Sequence, residues 1–140
     1  MQQTLNQLTA FAENDPDIAI LWLYGSRAKG THELSSDYDL AVAFNERISD
    51  PLDSRLRPEI LAMDWAEKLN ISSAQLTIVD INKTPIPLAL AAVTQGRVLH
   101  CKDALRLARE ENRITSIWEL DYLYHQKHFT NTSSEAKNHG

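Results

Sequence analysis

The sequence predicts an α/β domain in which a small mixed β-sheet is backed by helices. Three observations carry that expectation. Two apolar runs, Ile18 to Tyr24 and Leu40 to Phe44, have the β-forming composition and length of buried strands. Segments with helical spacing of apolar residues alternate with them. The 140-residue chain has a 43% hydrophobic fraction, enough to build one core, and shows no internal repeat or second-domain linker.

In chain order, Leu5, Leu8, Phe11 and Ala12 recur at helical spacing, which predicts an amphipathic helix from Gln2 to Asn14. Asp15-Pro16-Asp17 ends it. Ile18 to Tyr24 is almost wholly apolar, as in a strand covered on both faces. Ser26 to Lys29 opens a short helical turn closed by Gly30-Thr31, and Tyr38 to Phe44 forms the second strand. Asp50-Pro51 marks a boundary. A packed helix then runs from Pro58 to Leu69, with Pro58 near its start. Ala74 to Ile81 reads as a third strand, Pro87 to Thr94 as an apolar helix ended by Gly96, and Arg97 to Cys101 as an edge strand. Asp103 to His128 holds one or two helices. Residues 1–129 thus form a single domain, and residues 130–140, nearly devoid of apolar side chains, are expected to be a disordered tail.

Composition narrows the function. A net charge of −5 with no basic block argues against a general nucleic-acid binder, so no direct nucleic-acid partner is expected. The single cysteine, Cys101, cannot build an intrachain disulfide framework. No signal peptide is recognisable, and no apolar run approaches the ~20 residues needed to span a bilayer. The expected location is therefore cytoplasmic, with no membrane contact.

Chemistry concentrates at two places. Gly25-Ser26 follows the first strand, and Asp37-Tyr38-Asp39 enters the second. Strand side chains alternate, so Asp37 and Asp39 point the same way. Two carboxylates held together repel and lose solvation, and a Mg²⁺ ion between them removes that cost. Mg²⁺ takes one or two protein carboxylates together with substrate phosphates. Gly25 lets backbone approach a phosphate, Ser26 offers a hydroxyl, and Arg27 could grip phosphate oxygens bidentately, with Lys29 adding charge nearby. A lone Asp-x-Asp is weak evidence. Its fixed spacing from Gly-Ser, between two strands, is much stronger.

At these residues the sequence resembles the minimal nucleotidyltransferases, a branch of the DNA polymerase β-like superfamily. Leu23-Tyr24-Gly25-Ser26-Arg27-Ala28-Lys29-Gly30 is similar to that family's phosphate loop, and the resemblance runs from about Ile18 to Asp103. It implies a polymerase β-like nucleotidyltransferase fold. More narrowly, size and a helical C-terminal extension resemble the members that serve as antitoxins in HEPN/MNT toxin–antitoxin pairs, a type VII-like system. That implies AMP transfer from ATP, with Mg²⁺, to a tyrosine of a cognate HEPN ribonuclease toxin, in a hetero-oligomer, blocking RNA cleavage. By the same resemblance, Gly25 and Ser26 bind the triphosphate, and Asp37 and Asp39 are catalytic and metal-binding. Two alternatives stay open: an acceptor that is a small molecule or an RNA end, and a non-catalytic antitoxin that neutralises by binding.

The superfamily often places a third acid on the next strand. Thr77 falls at that position, and Asp80, an odd number of residues later, faces the other side of a regular strand unless a bulge re-aims it. Asp80's ordinary reading is a strand-end residue before a turn. His32 is expected to be exposed, Trp22 to be core, and His100-Cys101 to form no zinc site. Arg106, Arg109 and Arg113 read as a solvated face or as a pairing surface for an acidic partner. Trp118, Tyr122, Tyr124, His125 and His128 are either core or a protein-docking element on the last helix.

Overall fold

The computed structural model describes residues 2–31 and 36–139, with side chains to residue 127. Helix α1 (Gln2–Asn14) leads into β1 (Ile18–Tyr24), α2 (Gly25–Lys29) and β2 (Tyr38–Phe44). Then follow α3 (Pro51–Leu69), β3 (Leu76–Asp80), α4 (Ile86–Thr94), β4 (Arg97–Cys101) and α5 (Ala104–His139). The sheet order is β3-β2-β1-β4. β1 is antiparallel to both β2 and β4, and β2 is parallel to β3, so the sheet is mixed as expected.

All seven residues of β1 are buried because both of its faces are covered. On one face, Leu21, Leu23, Leu40 and Val42 pack with Leu5 and Leu8 of α1 and with Trp65 and Ala66 of α3. On the other, Ile20, Trp22, Ala41 and Ala43 pack with Ala89 and Ala92 of α4 and with Ile114 of α5. Trp22 is 1% exposed, a core residue as its place in the strand implied. At the turn after α4, Gly96 lets two backbones close together. A Cβ there would lie 2.1 Å from the Ala92 carbonyl oxygen and 2.9 Å from that of Leu23.

Three elements differ from the sequence expectation. Helix α3 begins at Pro51, seven residues before the expected start, and Pro58 lies inside it. The signal was present: Asp50 is an N-cap whose carboxylate accepts from the amides of Leu52 and Asp53, and Pro51 occupies the first helical position. An interior proline removes one helical hydrogen bond, and the buried face at Ala62, Trp65 and Ala66 outweighs it. β3 is shorter at both ends than Ala74 to Ile81, because Ser73–Gln75 forms a 3₁₀ turn with a capping box on Ser72. Finally, α5 is one helix, and its backbone continues to His139 through the segment expected to be a tail. No glycine or proline interrupts Ala104 to His139, so each added residue extends the ladder by one bond. Among the described residues, no helix is long and apolar enough to cross a membrane.

A buried ion network ties α5 to the turn after β3. The Glu110 side chain is 8% exposed. It meets Arg106 Nε at 2.9 Å and Arg113 Nη2 at 2.7 Å, and accepts from Asn82 Nδ2 at 3.0 Å. Burial alone would raise the Glu110 pKa, but the bonds from Asn82, Arg113 and Arg106, with the Arg113 charge, hold it low. A lowered folded-state pKa contributes stability above the unfolded value of ~4.3, lost as pH falls through the folded pKa. Glu110→Gln should therefore cost about 1–3 kcal/mol at pH 7. The gap to the native chain should narrow on acidification below about pH 4.3. Urea denaturation of both proteins at a series of pH values measures it.

Candidate active site

The site is built where β1 ends and β2 begins. Gly25 turns the chain from β1 into α2 with φ of 72°, a left-handed conformation that favours glycine. Tyr24 pairs with Asp39 across the β1–β2 ladder, and Asp39 pairs with Thr77 across the β2–β3 ladder. Asp39 is thus fixed from both sides in the middle of the sheet. Gly25 lies directly against it: a Cβ on Gly25 would stand 2.4 Å from Asp39 Oδ2.

Asp37 is exposed and precedes the first residue of β2, whereas Asp39 is half-buried. The Asp39 pKa is raised, first by burial and then by the negative charge of Asp37. The Asp37 charge therefore disfavours ionisation of Asp39. Tyr24, 7% exposed, has its hydroxyl pKa pushed up to about 12 by burial and by Asp39. Such a donor set fits a divalent cation, which takes oxygen ligands and relieves the repulsion of paired carboxylates.

Ser26 is half-buried in the first turn of α2, and its carbonyl accepts from Gly30 and Thr31, closing the turn. Arg27, expected to grip phosphate, makes its described contacts within the chain. It is 7% exposed, its guanidinium lies 3.9 Å from the centroid of the Tyr38 ring, and Nε and Nη2 donate to the Ser36 carbonyl at 3.1 and 2.7 Å. It braces the segment that delivers Asp37 to the site. Lys29 is exposed.

Thr77 stands beside Asp39, at the position where a third acid was sought, and is exposed. Asp80 pairs with Val42 instead, about 10 Å further along the strand. Its carboxylate accepts from the Asn82 amide at 2.9 Å in the turn after β3. No bulge returns it to the Asp37–Asp39 pair. Among the described residues, no group of three or more His, Cys, Asp or Glu side chains gathers at one point.

Of the other residues singled out, His32 lies outside the described residues. His100 and Cys101 belong to β4, against β1. Arg106 and Arg113 pair with Glu110 within the chain rather than forming a solvated face. On α5 the aromatic stretch is exposed: Trp118 by 37%, Tyr122 by 54% and Tyr124 by 64%. Ile117, Leu120 and Leu123 of the same helix are exposed as well. Sequence reasoning missed Tyr24 and the contact of Gly25 with Asp39. Both arise from the β1–β2 register, which the sequence does not state.

Comparison with known proteins agrees with this geometry. Residues 6–105 match the family described as Polymerase beta, Nucleotidyltransferase. Over 100 residues the chain is 32% identical to a Shewanella oneidensis protein named Protein adenylyltransferase MntA, a match covering 69% of this chain and 66% of that relative, just under two thirds of its length. A crystal structure of a toxin–antitoxin with AMP-PNP aligns with a TM-score of 0.71 at 21% identity, covering 91% of this chain and 97% of that one. The tri-AMPylated Shewanella oneidensis HEPN toxin in complex with MNT antitoxin gives a TM-score of 0.67 at 19% identity, covering 94% and 97%. At these identities the structural likenesses establish a shared fold.

Proposed function

This chain belongs to the polymerase β-type nucleotidyltransferases, and on that premise we propose that it is the antitoxin of a toxin–antitoxin pair, a protein adenylyltransferase that moves AMP from ATP onto a tyrosine of its cognate HEPN ribonuclease toxin. The observation that carries the reading is the Asp37–Asp39 pair, with the Gly25 turn packed against the Asp39 carboxylate. The names borne by the relatives support the choice of reaction and partner.

In this reading Asp37 and Asp39 hold Mg²⁺, which supplies charge neutralisation for the triphosphate when bound. Gly25, without a side chain, lets the Asp39 carboxylate lie against the turn, and Ser26 donates to the phosphate oxygens. Arg27 is a positioning residue, holding Ser36 and hence Asp37 in place. The tyrosine oxygen forms a bond to the α-phosphorus as the bond to pyrophosphate breaks, and the phenolic proton must leave. Thr77 offers no carboxylate, so Asp39, the half-buried carboxylate against the Gly25 turn, is assigned that proton. The exposed apolar surface of α5 is where the toxin docks.

A second reading, neutralisation by binding alone, is favoured by threonine at the third-acid position. The experiment incubates the protein with labelled ATP, Mg²⁺ and the product of the neighbouring gene. The expected result is a mass gain of AMP on that partner, mapped to a tyrosine and lost with Asp39→Asn. No gain, with the toxin still silenced by Asp39→Asn, overturns the enzymatic reading in favour of the second.

A further inference from the structure

A cavity lies towards the other end of the sheet from the Asp37–Asp39 pair. It has a volume of about 570 Å³ and opens between the ends of β2 and β3 and the first turns of α3 and α5. Its lining residues Asp80 and Phe44 lie three and five residues along the sheet from Asp39, about 10 and 17 Å. Five cationic side chains and three carboxylates line it, an excess of two positive charges in a chain whose net charge is −5.

The cations fall into two sets. Arg57 is committed: it pairs with Asp17, donates to the Glu46 carbonyl at 2.6 Å, and stacks over the Phe44 ring. Arg106 is committed to Glu110, Asn82 and the Phe44 carbonyl. These two form rigid walls. Arg47, Lys83 and Arg109 are exposed, and among the described residues none of them pairs with a carboxylate. The Lys83 ammonium is held by the hydroxyl of Ser54, a neutral acceptor that directs the group without cancelling its charge. Three exposed cations lining one cavity, beside walls fixed by Arg57 and Arg106, match the oxygens of a phosphate group. The volume exceeds what phosphate alone fills and lies in the range of small-molecule sites.

We propose that this cavity binds a phosphate-bearing small molecule through Lys83, Arg47 and Arg109, at a site distinct from the one that holds the reacting nucleotide. Neither the family match nor the Gly25–Asp39 geometry requires such a site. The test is an amide NMR titration of the full chain in EDTA, which removes metal-dependent binding at the Asp pair. Pyrophosphate and AMP are the two probes. The expected result is saturable shifts at Arg47, Asn82, Lys83 and Arg109. Comparable affinity for both probes assigns recognition to the phosphates, and tighter AMP binding adds a contact to the nucleoside. Lys83→Gln/Arg109→Gln, altering two exposed residues, should weaken binding at least about tenfold. Shifts confined to residues 25–29, no saturable binding of either probe, or unchanged affinity in the double variant overturns the proposal. The readout is binding without metal, so it stands or falls separately from adenylyl transfer.

Discussion

Replacing Asp39 by Asn is expected to abolish adenylyl transfer while making the metal-free protein more stable. The two effects have one origin. Asp39 is fixed between Tyr24 and Thr77, half-buried and repelled by Asp37, so its ionised form is disfavoured in the folded chain. A raised folded-state pKa gives stability that is complete below the unfolded value of ~3.9 and lost as pH rises through the folded pKa. At neutral pH the native chain has lost it, and asparagine never ionises. In EDTA, the Asp39→Asn variant should melt at higher temperature than the native protein at pH 7, with the gap closing towards pH 4 and below. Transfer should fall on the order of 10³-fold or more, as when a group that stabilises transition-state charge is removed. Adding ATP and Mg²⁺ should raise the melting temperature of the native protein and leave the variant nearly unmoved. Paired thermal melts, with a transfer assay on the same samples, check all of this. A variant less stable than the native protein in EDTA would remove the electrostatic account of the pair.

Gly25→Ala should produce the second large effect, and chiefly on activity. The new methyl would meet Asp39 Oδ2 at 2.4 Å, a contact that cannot persist. The obstructing atom is the end of a side chain, so the carboxylate can rotate away and the fold survives. The left-handed φ of 72° adds about 1–2 kcal/mol of strain. Displacing a reacting carboxylate by an ångström is enough to lose about 10²-fold in rate. A transfer assay beside urea denaturation should therefore show a loss of rate much larger than the loss of stability explains. Gly96 offers the contrast, since its near neighbours are backbone oxygens that cannot turn aside.

How far the sequence revealed this molecule depended on whether a feature was local. β1 and β2 follow from continuous apolar runs, β4 from the short stretch after Gly96, and α1 from its 3.6-residue period, and all four have the expected limits. The Gly-Ser turn and the Asp pair were legible because each element needs particular residue types at short range. The start of α3 was legible too, in Asp50-Pro51, but Pro58 offered a competing first-turn signal and masked it. What stayed hidden depends on register. The sequence placed Thr77 at the third-acid position, and only strand pairing shows that it stands beside Asp39 while Asp80 lies further along the sheet. Arg27 looked like a phosphate ligand because of its charge and place. Its stacking on Tyr38 and its bonds to Ser36 depend on a contact between two elements. The exposure of Trp118, Tyr122 and Tyr124 was equally hidden, since an aromatic residue on a helix looks the same whether it faces a core or a partner.

Tyr24 acquires a further meaning once the reaction is considered. Under the proposed transfer to tyrosine, a tyrosine paired across the sheet with Asp39 would be a competing acceptor. Tyr24 is 7% exposed, and its hydroxyl pKa is pushed up to about 12. Near neutral pH it stays a protonated phenol, a poor nucleophile. The charge of Asp39 that serves an incoming acceptor suppresses ionisation of the resident one. In the proposed reaction the same carboxylate would set the resident tyrosine apart from the acceptor by position alone.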